Sequence, residues 1–152
     1  MAQKKILLIN NEPLVINEMR RILALADYAV IGVAKNYREA NKILLVVTPE
    51  LVIIDINLGA GNDGFELAKR IKEQYRLPFI FLADTINQQN LLHAQEITSY
   101  GYILKPITAA ILIPTLEIAV NKYLTEKALR ESEEKYRVIV ENTNDYIFML
   151  NP

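Results

Sequence analysis

Short, unbroken apolar runs alternate with segments of helical periodicity along most of the chain. Ile6 to Ile9, Val30 to Val33, Leu51 to Ile54, Phe79 to Leu82 and Tyr102 to Leu104 are continuous rather than alternating. That is the pattern of strands covered on both faces. The segments between them have helical length. Leu14 to Leu25 is the first. Asn36 to Val47 opens on Asn36-Tyr37-Arg38-Glu39, an N-cap with a glutamate three residues on. Phe65 to Tyr75 follows the turn signal Asn62-Asp63-Gly64, and Asn87 to Ile97 is a fourth, opened by the weakly helical Asn87-Gln88-Gln89-Asn90. Strand and helix in strict alternation predict an α/β protein: right-handed crossovers, a doubly wound parallel sheet and helices on both faces. A site in such a sheet lies beyond the carboxyl ends of the strands, near the point where strand order reverses.

The last segment has two characters. Leu112, Leu116, Ala119, Val120, Tyr123 and Leu124 suit the packed face of a fifth helix, with Pro114 kinking it or delaying its regular start. From Thr125 to Arg137 the chain turns charged and has too few apolar positions for a buried helix. Leu129, Ser132, Tyr136 and Ile139 fit one weak seam of a/d type. A solvated spacer and a dimer stalk are equally good readings of it. One long helix is expected from about Leu116 to Val140.

Composition narrows the class. At 152 residues the chain suits one compact domain plus an appendage. It is 51% hydrophobic with a formal net charge of -1, so no basic field argues for nucleic acid. It has no cysteine, which excludes disulfides and thiolate metal sites. No run reaches the ~18 apolar residues that a membrane span needs, and the reading is a cytoplasmic protein. His93 is the sole histidine. It has no cluster around it and reads as a helix-surface residue.

Four strand ends bring candidate chemistry to one edge. Asn10 and Asn11 follow the first strand, Asp55 the third, Ala83 the fourth and Lys105-Pro106 the fifth. Together with Asp63-Gly64-Phe65-Glu66-Leu67-Ala68 and Gly101-Tyr102-Ile103-Leu104-Lys105-Pro106, they make residues 5 to about 120 resemble the receiver domain of two-component response regulators. The resemblance implies a flavodoxin-like (βα)5 fold, here with an extended C-terminal helix. It implies that Asp55 is a phosphoacceptor, a carboxylate that attacks a phosphoryl group and becomes an acyl phosphate. Lys105 would be its cationic partner and Tyr102 the aromatic whose rotamer reports phosphorylation. Mg²⁺ would be held by Asp55, the backbone carbonyl of Asn57 and a carboxylate from an acidic pair.

The departures from that pattern are as informative. Asn10 and Asn11 stand where the resemblance expects two acids, and Mg²⁺ favours carboxylates. A charge pair at ~4 Å is worth ~4 kcal/mol gross at an effective dielectric of ~20, so the metal site is expected to be weak or absent. Glu12 is the nearest spare carboxylate, but strand-end geometry is expected to point it away. Ala83 lacks the hydroxyl that would grip a phosphoryl oxygen and couple it to Tyr102, and Thr85 substitutes only if its loop shifts. With fewer acids to share, Asp55 and Lys105 are expected to form a simple ion pair.

Leu129 to Arg137, followed by Asn144-Asp145-Tyr146-Ile147-Phe148, resembles the entry into a PAS sensor domain. The expected organisation is a receiver at 1–124, a helical linker at 125–140 and the start of a PAS domain at 141–152, from a protein that continues into a PAS domain and a histidine kinase core. The expected partners are a histidine kinase or phosphotransfer protein and a second copy through the C-terminal helix, with neither nucleic acid nor membrane. The segment itself is not expected to be an enzyme. Two functions remain open: a phosphoacceptor module in a phosphorelay, or a pseudo-receiver that acts in protein interaction or dimerisation without phosphate.

Overall fold

The computed structural model describes residues 3–59, 63–85, 87–97 and 99–142. Five strands, β1 (Lys4–Ile9), β2 (Tyr28–Ala34), β3 (Leu51–Asp55), β4 (Phe79–Ala83) and β5 (Tyr102–Leu104), form one sheet in the order β2-β1-β3-β4-β5. All four neighbouring pairs are parallel. The helices α1 (Pro13–Leu25), α2 (Tyr37–Leu44), α3 (Gly64–Tyr75), α4 (Gln88–Glu96) and α5 (Ala109–Asn142) alternate with them. The flavodoxin-like reading is therefore right.

Each sheet face has its own apolar core. Met19, Ile22 and Leu23 of α1 and Leu112, Leu116, Ala119 and Val120 of α5 cover Ile6, Leu8, Ile53 and Ile80. Ala40 and Leu44 of α2, Leu67, Ala68 and Ile71 of α3 and Ala94 of α4 cover Leu7, Val52, Ile54 and Phe81 on the other face. Alternation within β1 and β3 splits each strand between the two cores, which is why both read as unbroken apolar runs. β2 departs from that expectation. It is an edge strand paired only with β1, so Val30 to Val33 are half-buried.

Local chemistry sets the helix starts. The Asn36 side chain accepts from the Glu39 N–H at 2.9 Å, while Glu39 accepts from the Lys35 N–H at 3.1 Å, close to the capping box read from the sequence. Asp63 caps α3 by accepting from the Phe65 N–H; Asn62, the first residue of that turn signal, lies outside the described residues. Pro114 does not delay its helix, which begins five residues earlier at Ala109. It withholds a donor from the Ala110 carbonyl, but Ala110 is exposed and water can serve it.

The chain divides into two units at Val120/Asn121. In the second, Leu124, Leu129 and Tyr136 are exposed along α5. The side chain of Ile139 and residues 143–152 lie outside what is described, and so does the side chain of His93. Among the described residues no helix is long and apolar enough to cross a membrane.

Candidate functional site

Strand order reverses between β1 and β3, and the residues that end these strands meet there. Asp55 is the last residue of β3 and fully buried. Its Oδ1 accepts the Asn57 N–H at 2.9 Å. Its Oδ2 accepts the Lys105 ammonium at 2.6 Å and the Asn10 amide at 3.3 Å. Gly64 makes this packing possible. A Cβ there would lie 2.2 Å from the Asp55 carbonyl oxygen, so α3 can begin against the end of β3 only without a side chain.

Asn10 is as buried as Asp55. Its backbone N–H donates to the Ala34 carbonyl and its Oδ1 accepts the Glu12 N–H at 2.8 Å. The oxygen that could have faced a cation is thus committed to the backbone, and the amide donates to Asp55 instead. Asn11 turns its amide to the Leu58 carbonyl. Gly59 follows, with a φ of 70° that suits glycine.

Lys105 follows β5 and leads into a cis Lys105–Pro106 bond. Its N–H donates to the Ala83 carbonyl at 2.8 Å, which anchors the residue beside the end of β4. Two sequence expectations fail at its side chain. Glu12 does not point away: its Oε1 lies 2.8 Å from the ammonium. Lys105 is also not in a simple pair, because Asp84 approaches at 3.3 Å as well. The cause of the first lies in α1. Glu12 occupies the N-cap position with extended backbone and caps no helix N–H, while Pro13 occupies the first turn. Its side chain is left to reach across the strand ends. Glu12 directly follows Asn11, and Asp84, absent from the sequence reading, directly follows the strand-end residue Ala83.

The electrostatics follow from burial. Desolvation pushes the Asp55 carboxyl above the usual carboxylate range; the bonds from Lys105 and Asn57 pull it back without cancelling the effect, and Glu12 adds to the rise. For Lys105 burial disfavours the charge, but the bonds to Asp55 and Glu12 and the fields of Asp55 and Asp84 win, so its ammonium is held charged more firmly than in water.

Tyr102 is half-buried and packs against the core on the α2–α4 side. Burial raises its phenol, opposed by a hydrogen bond with Asn90, and its hydroxyl reaches the Thr85 carbonyl at 3.4 Å. Thr85 thus meets Tyr102 through its backbone. Ala83 is fully buried and brings no polar side chain to the strand ends.

These residues do not fit Mg²⁺. The ion demands a near-octahedral oxygen shell and usually carboxylate charge. Asp55 is the buried carboxylate present, and protein donors hold both its oxygens. Among the described residues no three acidic, histidine or cysteine side chains are grouped to hold a metal.

Comparison with known proteins agrees with the fold. The family model of the response regulator receiver domain matches residues 6–117. The chain is 36% identical over 119 residues to the sensory transduction protein LytR of Staphylococcus haemolyticus, covering 78% of this chain and 44% of the relative. It is 25% identical over 126 residues to the transcriptional regulatory protein PdtaR of Mycobacterium tuberculosis, covering 83% and 61%. The chain spans about half the length of such relatives. Among solved structures, the signal receiver domain of a modulated diguanylate cyclase from Desulfovibrio desulfuricans superposes with a TM-score of 0.74 at 28% identity, over 82% of this chain and 98% of that one. The N-terminal domain of a response regulator/sensory box/GGDEF 3-domain protein from Carboxydothermus hydrogenoformans gives 0.73 at 30%, over 81% and 98%. The chain belongs to the response regulator receiver domain family of two-component signalling.

Proposed function

We propose that this receiver is an atypical phosphoacceptor whose acceptor residue, Asp55, is neutralised from within. The observation that supports this most is the sharing of one Asp55 oxygen by the Lys105 ammonium and the Asn10 amide. A carboxylate oxygen of Asp55 attacks phosphorus, and the bond from phosphorus to the donor's imidazole nitrogen breaks. The imidazole leaves with the electron pair and takes a proton from solvent. Lys105 supplies charge to the transferring oxygens. Ala83 contributes no hydroxyl and Asn10 and Asn11 no charge, so transfer is slow and the product lacks the contact that would draw Tyr102 inward. A ligand shifts a conformational equilibrium only through such differential contacts. The phosphodonor is a histidine kinase or phosphotransfer protein, and the segment is a signalling module rather than an enzyme.

A second reading has its own support. Asp55, fully buried with both oxygens hydrogen-bonded, resembles a permanently neutralised site. On that reading the chain is a pseudo-receiver that works by protein interaction. Intact mass after incubation with acetyl phosphate separates the two. Slow addition of one phosphoryl group, lost in Asp55→Ala, supports the first; no addition supports the second.

In the longer protein we place the receiver at 1–124, a helical linker at 125–140 and the start of a PAS domain at 141–152. The similarity to the first domain of a protein that also carries a sensory box supports that order. Exposed Leu124, Leu129 and Tyr136 support pairing of two copies along the distal helix.

A further inference from the structure

The three carboxylates around Lys105 are not equivalent. Asp55 is 0% exposed at 2.6 Å, Glu12 is 48% exposed at 2.8 Å, and Asp84 is 60% exposed at 3.3 Å. A lysine ammonium has three protons to donate, and here three acids surround it. An incoming phosphoryl group is an anion, and Lys105 is the cation in contact with the acceptor carboxylate. The anion can meet that cation only where an existing partner yields. Asp55 cannot, because it is the nucleophile and fully buried. Asp84 is the most distant and the most exposed. Glu12 remains: a close carboxylate at the N-cap of α1, bound to no helix N–H through its side chain.

We propose that Glu12 is a built-in competitor for the phosphoryl group, a carboxylate that holds the position on Lys105 which a phosphoryl oxygen must take. The proposal rests on the reading of Asp55 as acceptor and names what regulates it. With acetyl phosphate, an Asp55 oxygen forms a bond to phosphorus while the bond from phosphorus to the acetyl oxygen breaks. Acetate leaves with that electron pair, and no oxidant or further reactant is needed. Before this step the Glu12 carboxylate must give up Lys105, so Glu12 lowers the fraction of molecules ready to react. A partner that engages Glu12 at the start of α1 would release the block. The site would then take phosphoryl groups from a docked protein in preference to small donors.

Two readouts test this on the full chain: labelling by acetyl phosphate, followed by intact mass, and a titration with inorganic phosphate, followed through the Lys105 amide and side-chain nitrogen resonances. Glu12→Gln should speed labelling roughly three- to fivefold, the worth of a half-exposed ion pair, and should tighten phosphate binding by a similar factor. Glu12→Ala should do the same, which separates loss of the carboxylate from any new contact of the glutamine. Asp84→Asn should change either readout by a smaller factor than Glu12→Gln does. Equal gains in Glu12→Gln and Asp84→Asn would assign the effect to net charge and overturn the proposal, as would no gain in either Glu12 variant. If no variant labels, phosphate binding decides alone. Tighter binding in Glu12→Gln upholds the role of Glu12 while the acceptor reading falls, and unchanged binding removes both.

Discussion

The ends of β3 and β5 differ from the ends of β1 and β4. The first pair delivers charge: Asp55 and Lys105 meet at 2.6 Å across the strand ends. The second pair delivers amides and a methyl group from Asn10, Asn11 and Ala83, all packed into the same edge. The scaffold is indifferent to this difference, since the apolar runs, crossovers and register need only the residues before each strand end. Local electrostatics are not. Where charge is kept the structure must supply a partner, and where charge is lost the neutral side chains turn to backbone groups and to Asp55 itself. Fold and chemistry are thus separable here at single positions.

The largest expected effect breaks the charged half. Lys105→Met leaves Asp55 buried without a cation, which should cost about 3 kcal/mol in urea unfolding at neutral pH. It should also raise the Asp55 carboxyl further, visible in its side-chain carbon resonance. The sign follows from the direction in the wild type. The folded state already holds the Asp55 proton more tightly than the unfolded chain does. This group's contribution to stability is therefore undiminished below the ordinary carboxylate range and falls as pH rises through the raised value. Lys105→Met should move that fall to higher pH. Lys105 itself contributes below about pH 10.4 and ceases to contribute as pH rises beyond its own raised value.

Restoring charge to the neutral half should be next in size. Asn10→Asp sets a second buried carboxylate where the amide now donates to Asp55. In chelator it should cost about 2 kcal/mol through like-charge repulsion and desolvation. Millimolar Mg²⁺ should recover most of that loss, because the ion binds the folded state alone. Equal stability with and without Mg²⁺ would detach position 10 from any metal chemistry. Ala83→Thr tests the fourth strand end. Extra volume at a fully buried position should cost about 1 kcal/mol, while the hydroxyl should increase the amide shifts near Tyr102 on phosphorylation. The smallest effect on stability is expected from ending the chain at Tyr123. Receiver unfolding should change by less than about 0.5 kcal/mol, but sedimentation should lose any dimer. Equal monomeric masses for both lengths would remove pairing along the distal helix.

The architecture was legible because each strand is a continuous apolar run and two of the helices carry their own start signal. Asn36 and Asp63 cap the helices that they announce. Asp55 and Lys105 could be found because each ends such a run. The course of Glu12 could not, because it depends on how α1 leaves β1: an extended N-cap residue ahead of Pro13 directs the carboxylate over Lys105. Asp84 was hidden for a similar reason, since nothing in a residue after a strand says how closely it approaches a lysine from the next one. The orientation of Asn10 was the third gap. Its residue type allows an oxygen to face the site, and only the competing Glu12 N–H makes it a donor there.

We infer that Asp55 is neutralised by protein groups and that its chemistry does not run through a metal. The most direct measurement is the rate of single phosphoryl addition to Asp55 from acetyl phosphate, by intact mass, in chelator and in millimolar Mg²⁺. For the wild type we expect slow labelling that changes less than about twofold with the ion, and for Asn10→Asp with Asn11→Asp a rate that rises tenfold or so with it. Rapid, stoichiometric, Mg²⁺-dependent labelling of the wild type would contradict the account and show that the asparagines at the end of β1 are no obstacle.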